Sequence, residues 1–165
     1  MLPSPFKAGD KAGYYKTEEL LDNEAIFKMA NYLARQQLKK GRAISSPSDC
    51  FAALQTLLQT LEHEVFGLVY LDQQHCIINH EILFRGTINQ ASVYPRELIK
   101  SALSHNAAAV ILFHNHPSGC TKPSNADDQL TEQIKTAFEH IEIRVVDHVI
   151  VGHSDLFSYA QSGKI

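Results

Sequence analysis

The sequence lacks tryptophan, has three cysteines with no C-x-x-C pair, and contains no apolar run long enough to cross a membrane. The longest such run is Ala107 to Phe113, far short of the roughly 20 residues that a membrane helix needs. The cysteines do not form a disulfide framework, so a reducing cytoplasm is the expected compartment. The first residues hold two prolines and no apolar core, so neither a signal peptide nor a membrane partner is expected.

A strongly basic composition is also absent. The 165 residues carry a formal net charge of −3, which argues against binding nucleic acid through bulk electrostatics. The local exception is a group of four cations, Arg35, Lys39, Lys40 and Arg42. Lysine and arginine commonly occupy the last turn of a helix, so a solvated helix end is the ordinary interpretation and a nucleic-acid patch the weaker one. The composition, 44% hydrophobic and 20% charged, is typical of a soluble globular protein.

The length predicts one domain, residues 45–165, preceded by a small N-terminal part, residues 1–44. Residues 1–16 contain two prolines and two glycines and are predicted to be a loose leader. Apolar residues at helical spacing predict a helix over 17–40, with Gly41 as its stop. This helix could pack on the main domain or on a second copy of the chain, and the sequence leaves both open, as it leaves the oligomeric state.

The rest of the chain predicts alternating strands and helices. Ser46, Pro47 and Asp49 form a helix start, with the serine at the N-cap and the proline at the first helical position. The further elements are strands at 65–71 and 76–84 joined by a turn at 72–75, a helix at 96–104, a buried strand at 107–113, a helix at 124–139, and strands at 144–151 and 157–165. This order predicts a mixed α/β (α+β) fold with helices packed on a mixed sheet.

The segment between the buried strand and the long helix carries the chemistry. His114 and His116 lie at the strand's end, where alternation with period 2 places both imidazoles on one face. Asp127 lies in the first turn of the following helix and could supply an oxygen to the same ion. Two histidines and one carboxylate with a fourth position open are the usual ligands of a catalytic zinc, whereas a structural zinc has four protein ligands.

Asp127 has an alternative interpretation. Ser124 and Asp127 also form an S-x-x-D capping pattern, in which the serine caps the helix and the aspartate favours its positive end. Spacing alone does not decide between a helix cap and a metal ligand.

Several separate motifs resemble one protein family. Glu81, His114-x-His116, Ser124 and Asp127 are similar in order and spacing to the JAMM metalloprotease signature of MPN domains. The surrounding sequence resembles the bacterial RadC-like (UPF0758) family over roughly residues 45–165, in the segments Glu81-Ile-Leu-Phe-Arg-Gly-Thr, Tyr94-Pro-Arg-Glu-Leu, His105-Asn-Ala-Ala-Ala, His114-Asn-His-Pro-Ser-Gly, Pro123-Ser124 and Asp147-His-Val-Ile-Val-Gly. The chain looks like a short member, without the larger N-terminal part of long RadC proteins.

The resemblance implies an MPN (JAB)-type fold and a set of roles. His114, His116 and Asp127 would bind Zn²⁺, Glu81 would be the general base, and Ser124 would help to stabilise the oxyanion. A glutamate in a strand usually lies on the solvated face, so the role of Glu81 depends on the family motif alone. The substrate implied is a peptide or isopeptide bond.

Some alternatives stay open. A role as an accessory protein in DNA repair or recombination, after which the RadC family was named, is the second hypothesis, and a non-catalytic scaffold is the third. A scaffold would have a degraded ligand set, whereas this set is complete. Cys120 could close the site as a fourth ligand, although loop cysteines are usually inert. Either Asp147 or His148 could orient a metal-binding histidine. Equally, the pair could only satisfy polar groups at a strand's edge.

Overall fold

The structure is a computed structural model that describes residues 1–86 and 93–165. Its elements, in chain order, are β1 (Lys7–Ala8), β2 (Tyr15–Lys16), α1 (Asn23–Gln37), a 3₁₀ turn (Pro47–Cys50), α2 (Phe51–Leu58), β3 (Val65–Leu71), β4 (Ile77–Arg85), α3 (Pro95–Ser104), β5 (Ala109–Asn115), α4 (Asn125–Glu139), β6 (Arg144–Val151) and β7 (Leu156–Ser158). The predicted mixed α+β class is confirmed.

Within the described residues, the main sheet has the strand order β4-β3-β5-β6-β7. Strands β5 and β6 are parallel, and the other neighbouring pairs are antiparallel. A parallel pair needs a long crossover, which α4 supplies. Strands β3 and β5 are buried at every residue, as their continuous apolar sequences predict for central strands. The loop that leaves β5 toward α4 therefore starts at the middle of the sheet.

Two apolar layers cover the sheet, one on each face. Alternate residues of β3 and β5 point to opposite faces. Val69 and Ile111 pack in one layer with Ala34 and Leu38 of the N-terminal helix region and with Leu54 of α2. The opposite layer contains Leu68, Leu112, Leu98, Ile134 and Phe138, and so joins α3 and α4 to the sheet.

The N-terminal helix is shorter than predicted. Helix α1 begins at Asn23, because Asp22 caps it by accepting a hydrogen bond from the Ala25 amide at 2.7 Å. Gly41, predicted as the stop, adopts a φ of +84°. Within residues 1–16, predicted as a loose leader, two exposed two-residue strands, β1 and β2, pair with each other. Helix α1 packs on the main domain through Ala34, and the domain boundary at residue 44 stays a prediction.

The other predicted elements agree in position, with shifts at some ends. The strands at 65–71 and 144–151 have the predicted bounds, and the predicted hairpin joins β3 to β4. The predicted start at Ser46 is a capping box, but a 3₁₀ turn precedes helix α2. Strand β5 runs two residues later than predicted, so His114 lies inside it.

The predicted last strand, 157–165, is wrong in its length, because β7 ends at Ser158. The following residues turn back: the Lys164 amide donates to the Tyr159 carbonyl at 2.9 Å and the Ser162 amide donates to the Ser158 carbonyl at 3.1 Å. All three cysteines are free. Across 1–86 and 93–165, every helix is too short or too polar to span a bilayer.

Candidate metal centre

The end of β5 brings the two predicted histidines together. His114 is buried within the strand, and its ring stacks on Phe66 of β3 with a centroid distance of 5.9 Å and an angle of 11°. His116 follows the strand and stays tied to β6, since its amide donates to the Val151 carbonyl at 2.9 Å. The Nε2 atoms of the two imidazoles lie 3.0 Å apart. The spacing of two residues therefore gives a converging pair, as predicted.

The loop after His116 is held against the end of β6 by close backbone approach. A side chain at Gly152 would collide with the Gly119 carbonyl and would lie 2.7 Å from Thr121 Cγ2. Gly119 itself has a φ of +81°, which favours glycine. Within this loop, His116 Nδ1 lies 2.6 Å from the Cys120 carbonyl oxygen. The sequence Pro-Ser-Gly-Cys thus folds back and fixes the orientation of the His116 ring.

The position of Asp127 is compatible with both interpretations that the sequence left open. Its Oδ2 accepts hydrogen bonds from the Ser124 amide and hydroxyl, each at 2.7 Å, and the Asp127 amide donates to Ser124 Oγ at 3.1 Å, so the pair caps α4. Its Oδ1 is turned the other way and lies 3.3 Å from His114 Nε2. Oδ2 lies 3.5 Å from His116 Nε2. The cap therefore orients the carboxylate toward the histidines and leaves one oxygen available.

The donor atoms fit a cation. A backbone carbonyl can only accept, so the contact with Cys120 places the hydrogen of neutral His116 on Nδ1 and leaves Nε2 as a bare lone pair. His114, His116 and Asp127 each offer a ligand atom, and these atoms lie within 4.8 Å of one another. Two nitrogens bound to one Zn²⁺ at about 2.0 Å in tetrahedral geometry would be roughly 3.3 Å apart. The observed separation of 3.0 Å is close to this value.

The electrostatics of the site also favour a positive charge between the three side chains. The contact with Asp127 raises the pKa of His116 above its usual value, although burial opposes it. Burial of the Asp127 carboxyl favours its neutral form, but the neighbouring imidazoles of His114 and His116 outweigh this and hold its pKa well below the usual range. Asp127 is therefore ionised at neutral pH.

Ser124, the residue expected to stabilise an oxyanion, is exposed at the N-cap of α4. Its hydroxyl donates to Asp127 Oδ2 and accepts from the Asp127 amide. In this structure the hydroxyl therefore acts as a helix cap.

Glu81, the predicted base, lies on β4 in a polar cluster with α3. Its Oε2 accepts from the Tyr70 hydroxyl and the Ser101 hydroxyl, both at 3.1 Å, and its Oε1 lies 3.5 Å from His105 Nε2. Glu81 is opposite Leu68, whereas His114 is opposite Phe66. Two strand spacings and two residues therefore separate the Cα atoms of Glu81 and His114, which amounts to roughly 12 Å.

A second carboxylate, which sequence reasoning missed, lies nearer to His116. Glu64 immediately precedes β3, and continuing the antiparallel register from Phe66 and His114 by two residues places it opposite His116. It is half-buried, and its negative charge contributes to the raised pKa of His116. The Val65 amide donates to Asn115 Oδ1 at 2.8 Å, which ties this end of β3 to β5. The only sequence signal was an acid directly before a buried strand, and its relevance depends on strand pairing.

The other residues considered from the sequence, Cys120, Asp147 and His148, differ in whether they contact the metal-ligand group. His148 is fully buried, and its Nε2 lies 2.8 Å from His114 Nδ1. Asp147 points elsewhere: it accepts from the Ser158 hydroxyl at 2.6 Å and from the Ala160 amide at 2.9 Å, which holds the C-terminal segment. The Cys120 thiol is not part of the ligand group in the described part of the chain. Of the pair at 147 and 148, the histidine is therefore the one that contacts the site.

Comparison with known proteins gives one consistent family. Residues 44–164 match the family model for the RadC-like JAB domain. A UPF0758 protein of Vibrio cholerae serotype O1 (strain M66-2) is 46% identical over 142 residues, which cover 86% of this chain and 63% of the relative. Another, from Halorhodospira halophila, is 47% identical over 140 residues, covering 85% of this chain and 62% of the relative. One from Leptothrix cholodnii is 44% identical over 161 residues, covering 98% and 71%. The chain spans less than two thirds of the first two relatives.

Proposed function

The chain belongs to the family of RadC-like JAB domains, with the mixed α+β fold of the JAB/MPN type, and we propose that it is a zinc-dependent hydrolase of peptide or isopeptide bonds. The observation that carries the proposal is the convergence of two imidazole nitrogens and one carboxylate within 4.8 Å. Of these three side chains, His114 is buried, and His116 and Asp127 are half-buried. Three protein ligands leave a fourth position for solvent and substrate, as a catalytic site requires.

Each ligand is held by a contact on its far side. His116 is oriented by the Cys120 carbonyl, and Asp127 by Ser124. A divalent cation bound by these side chains would polarise a carbonyl group and lower the pKa of a coordinated water to about 7. The proposed role of Ser124 in stabilising the oxyanion requires its hydroxyl to turn from Asp127 toward the substrate.

Two carboxylates are candidates for the general base. Glu81 is the one that the sequence motif predicts. The geometry favours Glu64, because the β3–β5 register, extended by two residues from Phe66 and His114, places it opposite His116. Its negative charge also contributes to the raised pKa of that imidazole. The carboxylate of Glu81 instead accepts hydrogen bonds from Tyr70 of β3 and Ser101 of α3.

The function is tested by measuring metal content and hydrolysis on the same protein. We expect about one equivalent of zinc per chain and turnover of peptide or isopeptide substrates that a chelator removes and added zinc restores. A purified protein that binds no zinc, or that binds it and cleaves no member of a broad substrate screen, would contradict the proposal.

The base is identified by comparing Glu64→Gln with Glu81→Gln. Loss of a general base costs roughly 10²–10⁴-fold in rate. We expect Glu64→Gln to lower kcat within this range while zinc content is unchanged, since the glutamine keeps the shape and no ligand is lost. Glu81→Gln keeps acceptors for Tyr70 and Ser101, and we expect its kcat to stay within about threefold of the parent. The reverse result would assign the base to Glu81.

The cytoplasmic location stays a prediction.

An accessory role in DNA repair or recombination remains the second candidate function. The observation that supports this role is the exposure of four cations around the C-terminal end of α1, namely Arg35, Lys39, Lys40 and Arg42. If this surface binds duplex DNA, the logarithm of the affinity will fall linearly with that of the salt concentration, and the slope will shrink when two of the cations become glutamine. An affinity for duplex DNA that does not change with salt concentration would contradict this role.

A further inference from the structure

A chain of buried hydrogen bonds runs from α4 through β6 to His114. The Thr131 hydroxyl oxygen lies 2.6 Å from the Asp127 carbonyl oxygen and 2.6 Å from His148 Nδ1. His148 Nε2 lies 2.8 Å from His114 Nδ1. Thr131, His148 and His114 are all buried, at 3%, 0% and 1% exposure, so bulk water does not compete for these contacts.

The direction of each hydrogen bond follows from its partners. Two oxygens 2.6 Å apart repel unless a hydrogen lies between them, so the single Thr131 hydrogen points to the Asp127 carbonyl, which can only accept. Thr131 Oγ1 must then accept from His148, which places the hydrogen of that imidazole on Nδ1. His148 Nε2 is left as an acceptor, and its partner His114 Nδ1 carries the hydrogen.

His148 is fixed in orientation by its surroundings. Its ring is fully buried, and its two nitrogens contact Thr131 Oγ1 and His114 Nδ1. Burying a charged imidazole without a charged partner is costly, so the neutral form fits this position. Its ring stacks on Tyr159, with centroids 4.9 Å apart and planes at 17°, and lies against Phe66 on another side. Its amide donates to Asp147 Oδ1 at 2.7 Å. The ring therefore cannot turn without disturbing Tyr159 and Phe66.

We propose that Thr131 and His148 are positioning residues that fix the tautomer of His114, so that its Nε2 faces the ligand group as a bare lone pair. The effect of this hydrogen-bond chain on zinc binding rests on the proposed metal site, whereas the hydrogen bonds themselves do not. The chain of hydrogen bonds also explains why α4 and β6 must both be in place: the Asp127 backbone orients Thr131 while the Asp127 side chain supplies a ligand oxygen. Partners of this kind typically change metal affinity by roughly 10–100-fold.

The matched variants are Thr131→Val and Thr131→Ser. Valine has the shape of threonine without the hydroxyl, so the hydrogen on His148 loses its acceptor and the ring is free to place that hydrogen on Nε2 instead. The hydrogen on His114 would then lie on Nε2, where it blocks a metal. Serine keeps the hydroxyl and should restore the parent behaviour.

Two measurements are made on each protein. Nitrogen-15 NMR of the metal-free chain reports which nitrogen of His148 carries the hydrogen, and competition with a chromophoric chelator gives the zinc Kd. We expect Nδ1–H in the parent and in Thr131→Ser, a shift toward Nε2–H in Thr131→Val, and zinc binding weakened about 10–100-fold in the valine variant alone.

The parent spectrum tests the inference without any variant, so a valine variant that fails to fold does not remove the test. A parent protein with the hydrogen of His148 on Nε2 would overturn it, as would a folded Thr131→Val protein that binds zinc as tightly as the parent. A parent that binds no zinc at all would contradict the proposed function instead, and the NMR result would still decide the tautomer.

Discussion

Replacing His116 by alanine is expected to leave a folded protein without bound zinc and without hydrolytic activity. The change removes one of the three donors within 4.8 Å, and a cation held by His114 and Asp127 alone would be weakly bound. The loss of affinity should exceed the roughly 10–100-fold that removal of an outer hydrogen-bond partner costs. His116 is the better choice than His114, because His114 lies inside a buried central strand and packs on Phe66.

The matched control is His140→Ala, since His140 is exposed at the C-cap of α4 and is not part of the ligand group. Zinc content by metal analysis, thermal unfolding of the metal-free proteins, and turnover are compared for the two variants. We expect full zinc content and turnover for His140→Ala. A His116→Ala protein that holds a full equivalent of zinc would show that the two strand-end histidines do not form the site.

The parts of the site that the sequence predicted are those that local pattern determines. His114 and His116 share a face because a strand alternates, and Asp127 returns to them because Ser124 starts a helix directly after the loop. The sequence could not decide whether Asp127 caps the helix or binds a cation. In the structure, Oδ2 accepts the hydrogen bonds from Ser124 and Oδ1 faces His114, so the cap does not exclude a metal ligand.

The parts that the sequence did not predict depend on which strands are neighbours. Glu64 becomes relevant because β3 pairs with β5, and His148 because β6 lies parallel on the other side. Neither pairing is visible in the periodicity of a single strand. The start of β5 was also predicted two residues early, because the run of alanines at 107–109 has no local boundary signal.

The strand that places Glu64 depends on a glycine, and Gly67→Ala is expected to lower the free energy of unfolding by about 3 kcal/mol. A Cβ at this position would overlap the Glu81 carbonyl oxygen of β4 and the Phe113 ring of β5, with Phe113 Cε2 at 2.7 Å. A carbonyl in a paired strand cannot move without breaking the ladder, and the Phe113 side chain is buried. Overpacking of this kind usually costs 1–3 kcal/mol, and two rigid neighbours place Gly67 at the upper end.

Gly13→Ala is the control, because its Cβ would meet nothing within 4 Å and its φ of +84° costs only about 1 kcal/mol. Urea unfolding gives both midpoints, and equal m values show that stability alone has changed. Because Gly67 lies one residue from Phe66, whose partner is His114, a shifted β3 should also weaken zinc binding in the folded fraction. If Gly67→Ala were as stable as Gly13→Ala, β4 and β5 would not be packed this closely around β3. The strand register that places Glu64 opposite His116 would then be contradicted as well.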